Sequence, residues 1–309
     1  MYTIETKKID NKAYLYAVRR IRVGKKYKKI SVYIGKTVPR TKPQEKKILH
    51  ALQAKELQLV PDIVQHTQLL DTRITVTEYK KLEETRIIHK YHYEALSEAK
   101  KKQWWRHVAI RFTFESNAIE GSKLSEKEVS AITRGRTIKK TTSRTEVQEV
   151  ENTIQAIDWI RSGSFTINER TILRLHALVT KDLSIPQGFK QRSIIINNKP
   201  TTPPGQVRTE LAKLLKWWKA ERTANPFFKA MIFHQRFEAI HPFEDGNGRT
   251  GRLLLLWMLI KAGYDVILFK SANRQAYFSA LNKADAGQER TWLRHAMRVY
   301  RNTVAELHM

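Results

Sequence analysis

The chain has 309 residues, 41% hydrophobic and 28% charged, with seven Trp, eleven Tyr and eleven Phe; this excludes wholesale disorder and suits one large domain, or one core with a small appendage. Lys plus Arg number 57 against 30 Asp plus Glu, a formal charge of +27, which favours polyanionic partners and says nothing of fold. There is no Cys, which excludes disulfides, thiolate metal sites and a cysteine nucleophile, and fits a reducing compartment.

The longest apolar run, Leu253 to Ile260, is eight residues, far short of the roughly 20 that span a bilayer. The first residues carry no apolar signal core. A cytoplasmic chain with no membrane partner is therefore expected.

In chain order, residues 1–43 read as a basic β-hairpin and linker. Residues 1–50 hold fifteen Lys/Arg and three acids, Glu5, Asp10 and Glu45. Ala13–Val23 and Tyr27–Ile34 are β-rich, with Gly24-Lys25-Lys26 as the turn. Thr37 to Pro43 breaks structure. Residues 44–100 form a helical segment, and residues 101–309 a helical core whose first helix lies near 105–121. Helix starts show as capping boxes, Ser125 with Glu128 and Thr166 with Glu169. Ile172, Leu175, His176 and Val179 keep helical spacing, as do Val207, Leu211, Leu214, Leu215 and Trp218. One β-like flap, Ile194-Ile195-Ile196 within 193–197, interrupts the helices and ends before Pro203-Pro204. The fold class is mainly α, a helical bundle with a small β-hairpin flap, preceded by a short basic β-hairpin.

The chemistry concentrates in residues 241–252, His-Pro-Phe-Glu-Asp-Gly-Asn-Gly-Arg-Thr-Gly-Arg. Gly246-Asn247-Gly248 permits backbone angles closed to most residues and can turn N–H groups inward as an anion nest. It opens an apolar helix, whose N-terminus adds unpaired N–H groups and partial positive charge. Arg249 and Arg252, three apart, share a helix face and suit phosphate oxygens. Asp245 suits Mg²⁺ bridging phosphates, and His241 suits a proton transfer near neutral pH. The segment reads as a site for phosphoryl or nucleotidyl transfer.

This segment resembles the Fic (Fido) family signature H-P-F-x-(D/E)-G-N-G-R-x-x-R, with every specified position matched. The resemblance extends from about residue 100 to 300. Phe233 to Ile240 is similar to the helix that enters the motif, and Arg274 to Leu281 to the one that covers adenine. It implies a protein adenylyltransferase that moves AMP from ATP to a hydroxyl of a target protein, with Mg²⁺ or Mn²⁺. His241 would be the general base and Asp245 the metal ligand. Gly246, Asn247, Gly248, Arg249 and Arg252 would hold the phosphates, and Asn247 could add its side chain. Phe243 would be a core anchor, and Tyr277 and Leu281 would line the adenine site. Ser116-Asn117-Ala118-Ile119-Glu120-Gly121 is similar to the family's inhibitory motif. Glu120 would then pair with Arg252, stand where the γ-phosphate must go, and in some members support removal of AMP. Ile194, Ile195 and Ile196, with Asn197, would form the flap edge that docks the target's main chain. The lead-in Gly188-Phe189-Lys190-Gln191-Arg192 departs from the family's Gly-x-(Tyr/Phe)-Arg. A homodimer is a further expectation of the resemblance.

His234 and His241, seven apart, allow a two-histidine metal site, against a structural His234 packed beneath the motif. Residues 1–50 allow nucleic-acid binding through Tyr14, Tyr16, Arg19, Arg20, Arg22, Lys25, Lys26, Lys28 and Lys29. The competing function is therefore a nucleic-acid-associated regulator, with the helical core as an accessory or toxin-like module.

Overall fold

The computed structural model describes residues 2–24, 26–68, 73–136, 143–196 and 199–307. Three strands come first, β1 (Thr3–Ile9), β2 (Lys12–Val23) and β3 (Lys26–Gly35). The helices α1 (Lys42–Leu57), α2 (Val60–Gln68), α3 (Val76–Ala95), α4 (Glu98–Ile119), α5 (Glu126–Thr133), α6 (Arg144–Arg161) and α7 (Glu169–Val179) follow. A small hairpin, β4 (Ile195–Ile196) and β5 (Lys199–Pro200), precedes α8 (Val207–Ala220), α9 (Pro226–Ile240), α10 (Asn247–Lys261), α11 (Arg274–Asp285) and α12 (Glu289–Leu307). The mainly α class with a flap hairpin is what the residue pattern predicts, and the expected N-terminal hairpin is part of a three-stranded sheet. No helix among the described residues is long and apolar enough to cross a membrane. The chain divides into two compact units, residues 1–102 and 103–307.

The first unit is an antiparallel sheet of order β1-β2-β3 backed by helices. The sequence predicts two of these strands and misses β1. Along β1 only Glu5 is even half-buried, so no alternating apolar signal exists to find; its register against β2, Thr3 with Val18 through Ile9 with Lys12, supplies the order instead. Lys25 lies outside the described residues. Pro43, expected as a breaker, sits in the first turn of α1, where its missing N–H is not needed by the helix. Ala17, Arg19, Ile21 and Val23 of β2 are buried. Glu56 of α1 is 1% exposed; its carboxylate accepts from Lys90 Nζ at 2.7 and 2.8 Å and from the Tyr91 hydroxyl at 2.9 Å. The Arg19 guanidinium lies 4.5 Å over the Tyr91 ring and donates to Glu94 at 2.5 Å. A buried carboxylate needs this many partners to offset its lost hydration.

The second unit is built around α10. Leu253, Leu254, Leu255, Leu256, Met258 and Leu259 are all at most 2% exposed, so the helix is apolar around most of its circumference, as a central helix must be. It packs on α9, α6 and α7. Helix α12 packs on α9 and α11, and the Trp292 indole donates to the Met231 carbonyl at 2.9 Å. Helix α4 is held by the cluster of Ile110, Leu124, Val129, Ile132 and Val150. The predicted cap at Ser125 is present: Glu128 N–H donates to Ser125 Oγ, and Glu128 Oε2 accepts from Ser125 N–H at 2.9 Å. The cap predicted at Thr166 is displaced to Asn168, whose Oδ1 accepts from Thr171 N–H at 3.0 Å. Asn is at least as good a cap as Thr, and the Thr166 carbonyl accepts from the Thr171 hydroxyl instead.

Candidate active site

Helix α9 begins at Asn225, whose Oδ1 accepts from Phe227 N–H at 2.8 Å, with Pro226 in the first turn. It ends at His241, which takes a left-handed φ of 50°. That conformation costs a residue other than glycine about 1 kcal/mol, and it reverses the chain toward α10. Gly246, at φ 77°, caps α10. A Cβ there would stand 2.8 Å from Thr180 Cγ2, so both angle and space call for glycine.

Three contacts fix the loop between these helices. Asn247 Oδ1 accepts from Phe243 N–H at 2.9 Å, and its Nδ2 donates to the Phe243 carbonyl at 2.9 Å. This uses the Asn247 side chain, 2% exposed, so of the two contributions expected from Asn247 only the backbone remains for a ligand. The Phe243 ring, fully buried, stacks on His176 with centroids 3.7 Å apart. His176 Nε2 donates to the Asp245 carbonyl at 2.9 Å. Burial pushes the His176 imidazole down to about 4, so it stays neutral.

In the second turn of α10, an arginine faces an acid that immediately follows α4. Arg252 Nη2 donates to Glu120 Oε1 at 2.7 Å and to the Ser116 carbonyl at 2.9 Å, and Nε donates to Ser116 Oγ at 3.0 Å. The Glu120 carboxylate also lies against Gly248: a Cβ on Gly248 would collide with Glu120 Oε1 and stand 2.9 Å from Arg252 Nη1. The structure thus brings together Ser116, Glu120, Gly248 and Arg252, which the sequence spreads over 136 positions.

Arg249 shares α10 but turns elsewhere. It is 3% exposed, and its Nη1 donates to Glu149 Oε1 of α6 at 2.6 Å. Its Nη2 is 3.8 Å from Asp245 Oδ1. The expected phosphate contact from Arg249 is therefore filled by a protein carboxylate. Glu149, whose carboxyl burial pushes upward against the pull of Arg249, was not foreseen. The Asp245 side chain is 66% exposed, and its Oδ1 accepts from Gly246 N–H. Among the described residues no cluster of three or more His, Asp or Glu converges as a metal cage. A single open carboxylate beside a phosphate cradle fits the way Mg²⁺ binds, through one or two carboxylates with substrate phosphates and water.

His241 is half-buried. Burial first, then the positive charge of Lys190, pushes its imidazole down to about 4. Lys190 is 1% exposed. Its Nζ donates to Thr201 Oγ1 at 2.6 Å and to the Ile240 carbonyl at 3.4 Å, and its N–H donates to the Pro242 carbonyl at 2.9 Å. Burial pushes this ammonium down to about 8.

The lysine ties the flap to the motif loop. Strands β4 and β5 pair antiparallel, Ile195 with Pro200 and Ile196 with Lys199. Thr201 N–H donates to the Ile194 carbonyl at 3.0 Å, and the Ile195 side chain is 69% exposed. Asn197 lies outside the described residues. Glu244 anchors the flap base, accepting from Gln191 N–H at 3.0 Å and Arg192 Nε at 2.5 Å.

Tyr277 and Leu281 of α11 are 2% and 6% exposed. The Tyr277 hydroxyl hydrogen-bonds His234 Nε2 at 2.7 Å. His234 is fully buried, pushed down to about 3 by burial, among the rings of Phe269, Tyr277 and Trp292. Burial pushes the Glu238 carboxyl up to about 8, opposed by Arg252.

Residues 166–259 match the Fic/DOC family. Over 123 residues the chain is 37% identical to a probable protein adenylyltransferase of Aquifex aeolicus, covering 39% of this chain and 38% of that one. Over 234 residues it is 27% identical to the protein adenylyltransferase Fic of Drosophila virilis, covering 74% of this chain and 47% of that one. It spans less than half the length of these two curated relatives. A Fic-domain-containing signaling protein of Bacteroides thetaiotaomicron shares the fold, with a TM-score of 0.67 and 20% identity over 75% of this chain and 95% of that one. The chain carries a domain of the Fic/DOC family, with the flap and the motif loop inside it.

Proposed function

We infer that the chain is a protein adenylyltransferase, transferring AMP from ATP to a hydroxyl side chain of a target protein, with Glu120 as its restraint in cis. Residues 101–309 are taken as the catalytic core. The observation that supports this most is the carboxylate seated between Gly248 and Arg252 at the N-terminus of α10. One carboxylate matches one phosphate in charge and in its affinity for a guanidinium. The place it fills is where a triphosphate tail would meet helix N–H groups.

In this reading, neutral His241 takes the proton of the target hydroxyl. The hydroxyl oxygen then forms a bond to the α-phosphorus. The bond from that phosphorus to the bridging oxygen breaks, and pyrophosphate leaves with its electron pair. The target keeps AMP. The N–H groups of Asn247 and Gly248 face the phosphates, that of Gly246 being given to Asp245 Oδ1, and Arg252 takes the γ-phosphate once Glu120 withdraws. Arg249, held by Glu149, positions the turn and adds field rather than a direct contact. Asp245 would hold Mg²⁺ or Mn²⁺, which when bound neutralises phosphate charge and orients the leaving group. Exposed Ile195 and the open edge of β4 suit pairing with a target strand. Glu120 also suits hydrolytic removal of AMP, orienting a water whose oxygen bonds to the α-phosphorus while the bond to the target oxygen breaks, releasing AMP and the free hydroxyl.

Intact-mass measurement of the Glu120→Gly protein after incubation with ATP and Mg²⁺ tests the assignment. A gain of one AMP, absent when His241→Ala is added, is expected. A gain of a phosphate alone, or no gain, overturns it.

A further inference from the structure

The first unit carries a surface that nucleotidyl transfer does not use. Register sorts the sheet into two faces. Ala17, Arg19, Ile21 and Val23 are buried on one, and Val18 is buried at the centre of the other. The other holds Tyr14, Tyr16, Arg20 and Arg22 of β2, with Tyr27, Lys29 and Tyr33 of β3 opposite, and Lys7 and Glu5 of β1 beside them. Lys7 Nζ lies 4.7 Å over the Tyr16 ring, and the Tyr33 centroid lies 6.0 Å from Tyr14 and 5.5 Å from Tyr16. These contacts confirm a shared face.

Two properties of this face ask for a ligand. First, Arg20 pairs directly across the strands with Lys29. Like charges placed opposite one another destabilise a sheet, and the one acid on the face, Glu5, pairs with Lys29. The remaining cations face solvent, and a polyanion suits them. Second, Tyr27 and Tyr33 are 68% and 52% exposed. A bare phosphate gains nothing from an aromatic ring, nor does duplex DNA with its bases already stacked. Unstacked bases do. The two rings stand six residues apart on one strand, about 20 Å, with Arg20 and Lys29 between them and Arg22 opposite Tyr27.

We propose that this face of the sheet binds single-stranded nucleic acid, its bases stacking on Tyr27 and Tyr33 and its phosphates held by Lys7, Arg20 and Arg22. The proposal is independent of the adenylyltransferase reading. Fluorescence anisotropy of the whole chain with labelled oligomers of about 12 nucleotides, RNA and DNA, against a duplex of the same sequence, tests it. Tyr27→Ala and Tyr33→Ala should each weaken single-strand binding by roughly 5- to 150-fold, the measured range for lost base stacking. Tyr27→Phe and Tyr33→Phe should retain it, because the ring and not the hydroxyl stacks. The slope of log affinity against log salt should be roughly −2.1 for three phosphate contacts and roughly −0.7 in an Arg20→Gln, Arg22→Gln protein. His241→Ala should change none of these values. Either sugar supports the proposal. Absent single-strand binding at about 50 mM salt, equal or tighter duplex binding, or affinity unmoved by either alanine substitution overturns it.

Discussion

Removing the Glu120 side chain probes the restraint most directly. The carboxylate is 35% exposed and its partner Arg252 4%, so water screens one end of the pair. A hydrogen bond to a charged group is worth about 1.5–3 kcal/mol, and partial exposure brings this one to the lower part of that range, about 1.5–2 kcal/mol. If the restraint is this contact, its loss raises the open fraction about 10- to 30-fold. The initial rate of AMP incorporation from labelled ATP in Glu120→Gly should rise by that factor. Arg252 keeps both bonds to Ser116, so the variant should remain folded, and ATP should raise its melting temperature more than that of wild type. Glu120→Gln keeps a hydrogen bond and loses the charge, so a rise of only a few-fold is expected. Equal rates for wild type and Glu120→Gly would refute the reasoning. So would a rise that persists when His241→Ala is added.

The bracing of the motif loop predicts that Asn247→Ala strands the Phe243 N–H and carbonyl inside the core, at a cost of about 2–4 kcal/mol; urea unfolding with an unchanged m-value checks this. Lys190→Met should let the His241 imidazole rise from about 4 toward 6.5, moving the acidic limb of the rate profile upward by about one pH unit. Lys190→Arg should leave that limb in place, whereas a purely structural lysine would move neither. The buried histidines set acid stability. His176 and His241 titrate near 4 and His234 near 3 in the folded chain, below the ordinary 6.5. The unfolded chain then binds more protons between about 6.5 and 4, so stability is full above that window and falls as pH drops through it. Urea midpoints that stay flat from about pH 7 to about pH 4.5 would contradict the burial argument.

The motif loop was legible because its conformational demands are local. Gly246 needs a left-handed angle, and the turn from α9 to α10 spans only residues 241–246. The helix class was legible from spacing and caps. What spacing could not show is who meets whom across long stretches. Glu149 lies 100 positions from Arg249, and nothing near either marks the pair. Lys190 reads as a surface residue in a loosened flap lead-in, yet it is 1% exposed. His176 did carry a signal, a histidine within an apolar helical stripe. Its partner Asp245 is 69 positions away, so its purpose appears only in three dimensions. Strand β1 escaped because an exposed edge strand needs no apolar alternation.

The missing side chain at residue 248 binds brake and engine to one seat. Any bulk added there would evict the acidic plug, yet it would also crowd the space a nucleotide tail must enter. On the adenylyltransferase reading, substitutions that free the site without filling it fall at Ser116 of α4 or at Glu120 just beyond its end, and an activating ligand would do best to act there too.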